Sequence, residues 1–236
     1  MWVGQQLADG LDFWGFLGSL ILGGIILGIY TGLLGYVGAK TGLSLDLLSQ
    51  RAFGEKGSYL PSAMTSFTQI GWFGVGSFVS GGTATPNFAR FAKNGKAGAI
   101  TTVVAFFIGN SLMFFFGAVS SIFVGGNDIF EVMVRLNLFY LAVLVLGLNI
   151  WTTNDNALYT AGLGLANIFH QRKKPMVLLS GIIGTVASVW LYYNFCGWLN
   201  ILNCTLPPVG MILVLAYFMN KEDFETDQPK LKTIDW

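Results

Sequence analysis

Leu148-Asn149-Ile150-Trp151-Thr152-Thr153-Asn154-Asp155-Asn156 is the stretch on which the fold turns. Leu138 to Gly147, just before it, is almost entirely aliphatic, and Ala157 to Ile168, just after it, is again apolar and small. Three asparagines, two threonines and an aspartate at the centre of so apolar a segment are costly to bury in lipid. They are tolerated where they face a cavity, a ligand or a partner helix. The default reading of the run is therefore a functional site inside a membrane-spanning helix.

The whole chain agrees with a membrane setting. Its 236 residues are 53% hydrophobic and only 11% charged, and the mean hydropathy is +0.62. A soluble domain carries about 25% charged residues, so this chain cannot cover a water-facing surface. The apolar runs are long and continuous, which excludes the short alternating segments of a β-barrel. An all-α multi-spanning membrane protein follows, one transmembrane domain over residues 1–236. The 31 glycines suit helices that pack closely in lipid. A net charge of +1 gives no nucleic-acid footprint. Cys196 and Cys204 read as small core residues, not a disulfide framework. Met1 to Gly10 has no basic segment before an apolar core, so no cleavable leader is expected. No zinc spacing, nucleotide loop or nucleophile–base motif is present, which argues against an enzyme.

Phe13 to Ala39 is the first expected span. Gly24, Gly28 and Gly32 recur every four residues there and Gly35 and Gly38 follow, a smooth stripe for helix packing. Lys40 to Tyr59 reads as a loop, placed in the cytoplasm by Lys40, Arg51 and Lys56. Leu60 to Val79 is the next apolar segment, with Pro61 at a tolerated first-turn position. Ser80-Gly81-Gly82-Thr83-Ala84-Thr85-Pro86 cannot be a helix interior, and Arg90, Lys93 and Lys96 form a second basic loop. Beyond it, Ala97–Val124, Leu138–Ile168, Met176–Tyr193 and Trp198–Met219 alternate as spans, the last broken by Pro207-Pro208. Ile129 to Asn137 reads as a short interfacial helix. Trp190, Tyr192, Tyr193 and Trp198 read as an aromatic belt. Lys221 to Trp236 is a charged tail.

One conflict stands in this layout. Both basic loops belong on one side, yet a single segment of about thirty residues separates them, and each crossing takes roughly twenty. Either the segment is re-entrant, or spans are missing, or two half-segments join at Gly76-Ser77.

Some residues could carry chemistry. Asparagine and glutamine amides offer donors and acceptors on one planar group, and tryptophan offers a flat face for stacking. Gln69 and Trp72, three residues apart, share a helix face; with Asn154 they form a pocket for a small planar polar solute. Interhelical hydrogen bonding uses the same residue types and is the competing reading. Asn149, Thr152 and Thr153 stand at i, i+3 and i+4. Their hydroxyls and carbonyl suit a small hard cation, although threonines also bond back to their own helix. Asp155 is a proton carrier, a cation partner or a charge held by neighbouring amides. Ser77 to Pro86 is similar to the broken helices of transporters.

Longer stretches carry a resemblance. They are Leu27-Gly28-Ile29-Tyr30-Thr31 with Leu34 to Leu43, Gln69 to Gly76, Ser77-Phe78-Val79-Ser80-Gly81-Gly82-Thr83, Gly109-Asn110-Ser111-Leu112-Met113-Phe114, and Leu146 through Tyr159. Together they resemble the cytosine permease branch of the bacterial nucleobase:cation symporter-1 family, in order from about Met1 to Asn220. The resemblance implies a leucine-transporter-type fold of two inverted five-helix repeats. It implies sodium-coupled uptake of cytosine or a related nucleobase by alternating access, in a bacterial cytoplasmic (inner) membrane. Sodium is the coupling ion and no other cofactor is implied. The ring would stack between Trp72 and Phe78, with polar contacts from Gln69, Ser80 and Asn154. Sodium would lie against Asn149, through its carbonyl, with Thr152 and Thr153.

The same resemblance implies that several helices are missing. The family's first helix ends about where Met1-Trp2 begin. The rest of its third helix, its fourth and fifth and the start of its sixth would fall between Gly76 and Ser77. Its last two helices would follow the tail. A literally continuous chain is then expected not to transport, and a non-transporting membrane protein whose polar centre only packs helices is the alternative. A solute channel suits the combined ring and cation sites less well.

Overall fold

The computed structural model describes residues 11–75, 84–125, 129–226, 231 and 233, and among them every regular element is a helix. In chain order these are α1 (Phe13–Thr41), α2 (Leu45–Phe53), α3 (Tyr59–Val75), α4 (Pro86–Ala89), α5 (Gly95–Val124), α6 (Ile129–Arg135), α7 (Phe139–Phe169), α8 (Lys173–Tyr193), α9 (Phe195–Met219) and α10 (Lys221–Glu225). Four are long and apolar enough to cross a bilayer: α1, α5, the Lys173–Leu191 part of α8 and the Asn200–Met219 part of α9. α3 has only 17 residues. The 31-residue α7 is long enough, but its polar centre dilutes its hydropathy. The most apolar part of α5 buries none of its residues, and side chains such as Ile100, Ile108 and Phe116 stand exposed. In water this would be an aggregation liability; in a bilayer it is a lipid-facing surface.

The chain forms two compact units. The first comprises Met1–Ile29 with Thr101–Trp151. Here the glycine stripe of α1 does what its spacing predicts. A Cβ on Gly24 would come within 3.0 Å of the Phe107 ring and 3.2 Å of Ser111 Oγ on α5. α5 ends at Gly125, in the left-handed region at φ 69°. On α6, Arg135 pairs with Glu131 one turn back and reaches the Val124 carbonyl at 3.4 Å.

The second unit comprises Tyr30–Ile100 with Thr152–Trp236. It holds two apolar clusters. In the first, Leu34 and Val37 of α1, Leu45 and Leu48 of α2, and Val209, Leu213, Val214 and Tyr217 of α9 surround Phe224 of α10. In the second, Ala157 of α7 and Leu191 of α8 pack with Trp198, Leu202 and Leu206 of α9. α3 lies along α8 and α9. Small residues set the closest approaches: a Cβ on Gly38 would stand 2.7 Å from Pro86 Cα, so α1 and α4 touch backbone to backbone.

Four expectations need correction. The Lys40–Tyr59 loop contains α2, a helix whose apolar side is buried and whose first amide, Leu45 N, donates to Asn87 Oδ1 at 2.8 Å. Pro207 and Pro208 lie inside a continuous α9; neighbouring helices hold it together across two lost amide donors. Trp198 is buried in the second cluster at 3% exposure, while Trp190 and Tyr193 are exposed as a belt requires. Cys204 is exposed and not a core residue.

Candidate functional site

Ser66 Oγ donates to the Ala161 carbonyl at 3.2 Å, and Asn167 Nδ2 donates to Ser62 Oγ at 2.8 Å. As the number rises on α3 it falls on α7, so the two helices run antiparallel along one seam. Gly164 sits between these bonds, and a Cβ there would fall on Ser66 Oγ and stand 2.8 Å from the Ser62 carbonyl. Ser62, Ser66 and Gln69 share one face of α3 by their four- and three-residue spacing. Asn154, Ala157, Ala161 and Gly164 share the facing stripe of α7.

The seam therefore brings Gln69 and Asn154, two of the sequence-derived binding residues, onto facing helix sides. Counted from these two hydrogen bonds at 1.5 Å per residue, Asn154 lies roughly 6–9 Å further along the seam than Gln69. Gln69 is 7% exposed. Asn154 is half-buried, and its Oδ1 is buried with no hydrogen-bond partner among the described residues. An orphaned amide oxygen at a helix seam is a standing demand for a donor. Trp72 lies on the same α3 as Gln69, but its side chain lies outside the described set. Phe78, Ser80 and the suspected junction between Gly76 and Ser77 also lie outside it.

α7 is unbroken through the polar run, so Asn149, Thr152 and Thr153 do fall at i, i+3 and i+4 of one helix. Asn149 and Thr152 are exposed and Thr153 is half-buried. Asp155 is exposed.

A polar joint that the sequence does not announce lies at the other end of the seam. Ser62 Oγ, besides accepting from Asn167, donates to Asp46 Oδ1 at 2.7 Å. Asn167 Nδ2 also reaches Ser58 Oγ at 3.1 Å, and its Oδ1 accepts from Gln50 Nε2. Asp46 is 5% exposed. Burial pushes its carboxyl up to about 6, against the opposing pulls of the Ser62 bond, its own amide and the Arg90 charge. Arg90 itself donates to the Tyr159 hydroxyl, and the Lys173 ammonium lies 3.5 Å over that same ring. The signals were present singly: an aspartate among leucines in Leu45-Asp46-Leu47-Leu48, and Asn167 in an apolar helix end. Only the fold shows that they meet.

A family model described as "Permease for cytosine/purines, uracil, thiamine, allantoin" matches residues 1–85 and 74–229. The cytosine permease of Escherichia coli strain K12 is 36% identical over 327 aligned residues, covering 100% of this chain and 78% of that protein. The cytosine permease of E. coli O157:H7 matches to the same extent. The allantoin permease of Bacillus subtilis strain 168 is 34% identical over 82 residues, 35% of this chain and 16% of that protein. An alignment of 327 positions exceeds the 236 residues of the chain, which is thus shortened relative to the permease it matches. With described helices long and apolar enough to cross a bilayer and these matches, the chain belongs to the cytosine/purine permease family, as a multi-pass inner-membrane protein of a transporter family and not an enzyme.

Proposed function

We propose that the α3–α7 seam binds cytosine or a related nucleobase, and that the family's work on it is uptake coupled to sodium by alternating access. The orphaned Asn154 Oδ1 carries this reading. It needs a donor, it stands on the stripe facing Gln69, and the exocyclic amine and ring N–H groups of a nucleobase supply such donors. Trp72 and Phe78 would stack on the ring faces, and Ser80 would add a hydroxyl. Sodium would be held by the Asn149 carbonyl with the hydroxyls of Thr152 and Thr153, hard oxygen ligands suited to that ion.

Uptake of radiolabelled cytosine into proteoliposomes, in sodium and in choline, tests the whole reading. Equal uptake in the two media removes the coupling. Trp72→Ala should abolish equilibrium binding, and retained affinity removes the stacking assignment.

A second reading is favoured by one observation, the shortening of the chain against a 327-position alignment. The chain would then be a non-transporting membrane protein whose polar centre packs helices. It predicts that Asn154→Ala harms thermal stability more than affinity, the reverse of the first reading.

A further inference from the structure

α7 carries a second buried polar atom that the site above does not use. Thr160 is 2% exposed, and its Oγ1 has no hydrogen-bond partner among the described residues. Helical hydroxyls in this molecule usually turn back on their own helix. Thr65, Thr68, Thr185 and Thr205 donate to the carbonyls of Pro61, Met64, Gly181 and Ile201, four residues earlier. Thr160 does not take that default. A buried hydroxyl held off it is under-satisfied without a further partner.

The seam says where this hydroxyl stands. Asn167 and Ser62 are bonded across it at 2.8 Å. Thr160 is seven residues before Asn167, and Gln69 is seven residues after Ser62. Seven residues are close to two full turns. On antiparallel helices the two steps lead the same way, so Thr160 and Gln69 come to within roughly 3 Å of one level on facing sides, the Ser66–Ala161 bond setting the wider limit. Thr160 thus stands at the near end of the stretch whose far end is Asn154, and both ends hold an orphaned buried oxygen.

The geometry points to Thr160 as a further substrate contact: its hydroxyl, beside Gln69, meets the near polar edge of a planar nucleobase whose opposite edge is met by Asn154. The assignment rests on the nucleobase reading above and extends it. A hydroxyl both donates and accepts, so it fits a ring nitrogen or a carbonyl and disfavours rings that are apolar at that edge.

The test is equilibrium binding of radiolabelled cytosine to the full chain in detergent, with thermal unfolding recorded in the absence of cytosine. Thr160→Val keeps the shape and removes the hydroxyl; it should raise Kd about tenfold. Thr160→Ser should restore affinity to within about twofold. The unliganded melting temperature of Thr160→Val should match or exceed that of the wild type, because no protein partner is lost. If Thr160→Val does not fold, Thr160→Ala against Thr160→Ser makes the same comparison. Wild-type affinity in the variant lacking the hydroxyl overturns this assignment and leaves the nucleobase reading standing. A wild-type chain that binds no cytosine overturns both.

Discussion

Asn167 and Ser62, 105 residues apart in sequence, meet at 2.8 Å and join the end of α7 to the start of α3. The bond has two consequences: it sets the register of the seam, and it hands Ser62 its hydrogen-bond direction. With one lone pair used by Asn167, the serine proton is free to go to Asp46. Asn167→Ala removes the links to Ser58, Ser62 and Gln50 together. We expect a loss of about 2–3 kcal/mol, since the partners left behind are partly buried. Denaturant or thermal unfolding in detergent would check it; a loss below about 0.5 kcal/mol would mean that water replaces the amide freely.

Gly164 gives a steric prediction. An added methyl would overlap Ser66 Oγ and crowd the Ser62 carbonyl, a backbone atom that cannot rotate away. Gly164→Ala should therefore push α3 and α7 apart and cost about 1–3 kcal/mol, despite alanine's better helix propensity. Cytosine affinity should fall with it, because Gln69 and Asn154 are placed by this contact. Unchanged affinity would show that the seam does not position the ring site.

Asp46 makes stability depend on pH. Its carboxyl titrates near 6 in the folded protein against an ordinary 3.8, so between those values the native state binds the extra proton. The contribution of the group is complete below about pH 4 and is lost as pH rises past about 6, with a span of roughly 3 kcal/mol. Asp46→Asn keeps a hydrogen-bond acceptor for Ser62 and cannot ionise. It should flatten the melting-temperature profile between pH 4 and 7, and be the more stable protein at pH 8. A variant with the wild-type slope would place the titration elsewhere.

Phe224 anchors the tail. It is 2% exposed among Tyr217, Leu45 and Leu48, its neighbour Glu225 accepts from the Tyr217 hydroxyl at 2.9 Å, and Arg51 holds the carbonyls of Asp223 and Thr226. Phe224→Ala should cost about 3–4 kcal/mol by leaving a cavity at the meeting of α1, α2 and α9. Proteolysis of the tail should speed up in parallel. Glu225→Gln should do much less, since its ion pair with Lys40 at 3.8 Å is well exposed.

The sequence made the long helices legible and the polar run stand out for one physical reason. In lipid, length and hydropathy fix a span, and an asparagine within one is conspicuous. It could show that Gln69 and Asn154 carry suitable chemistry, but not that they lie along one seam between α3 and α7; the close approach there uses Gly164, which looks like any other of the glycines. α2 was hidden because a helix of 9 residues is too short to show a clear period. The buried joint at Asp46 was hidden because each member lies in a different element. Pro207 and Pro208 were misleading because tertiary packing overrode a local rule.

Those two prolines lie between the two apolar clusters. Trp198, Leu202 and Leu206 on one side belong to the cluster with Ala157 and Leu191; Val209, Leu213 and Tyr217 on the other belong to the cluster around Phe224. Proline has no amide to offer the carbonyls of Asn203 and Cys204, four residues earlier in each case. The rod is therefore weakest where it passes from one packed body to the other. α9 is in mechanical terms a shaft with a joint built into it: adjacent prolines mark the point where a helix bends at least cost, and the two clusters grip it on either side of that point.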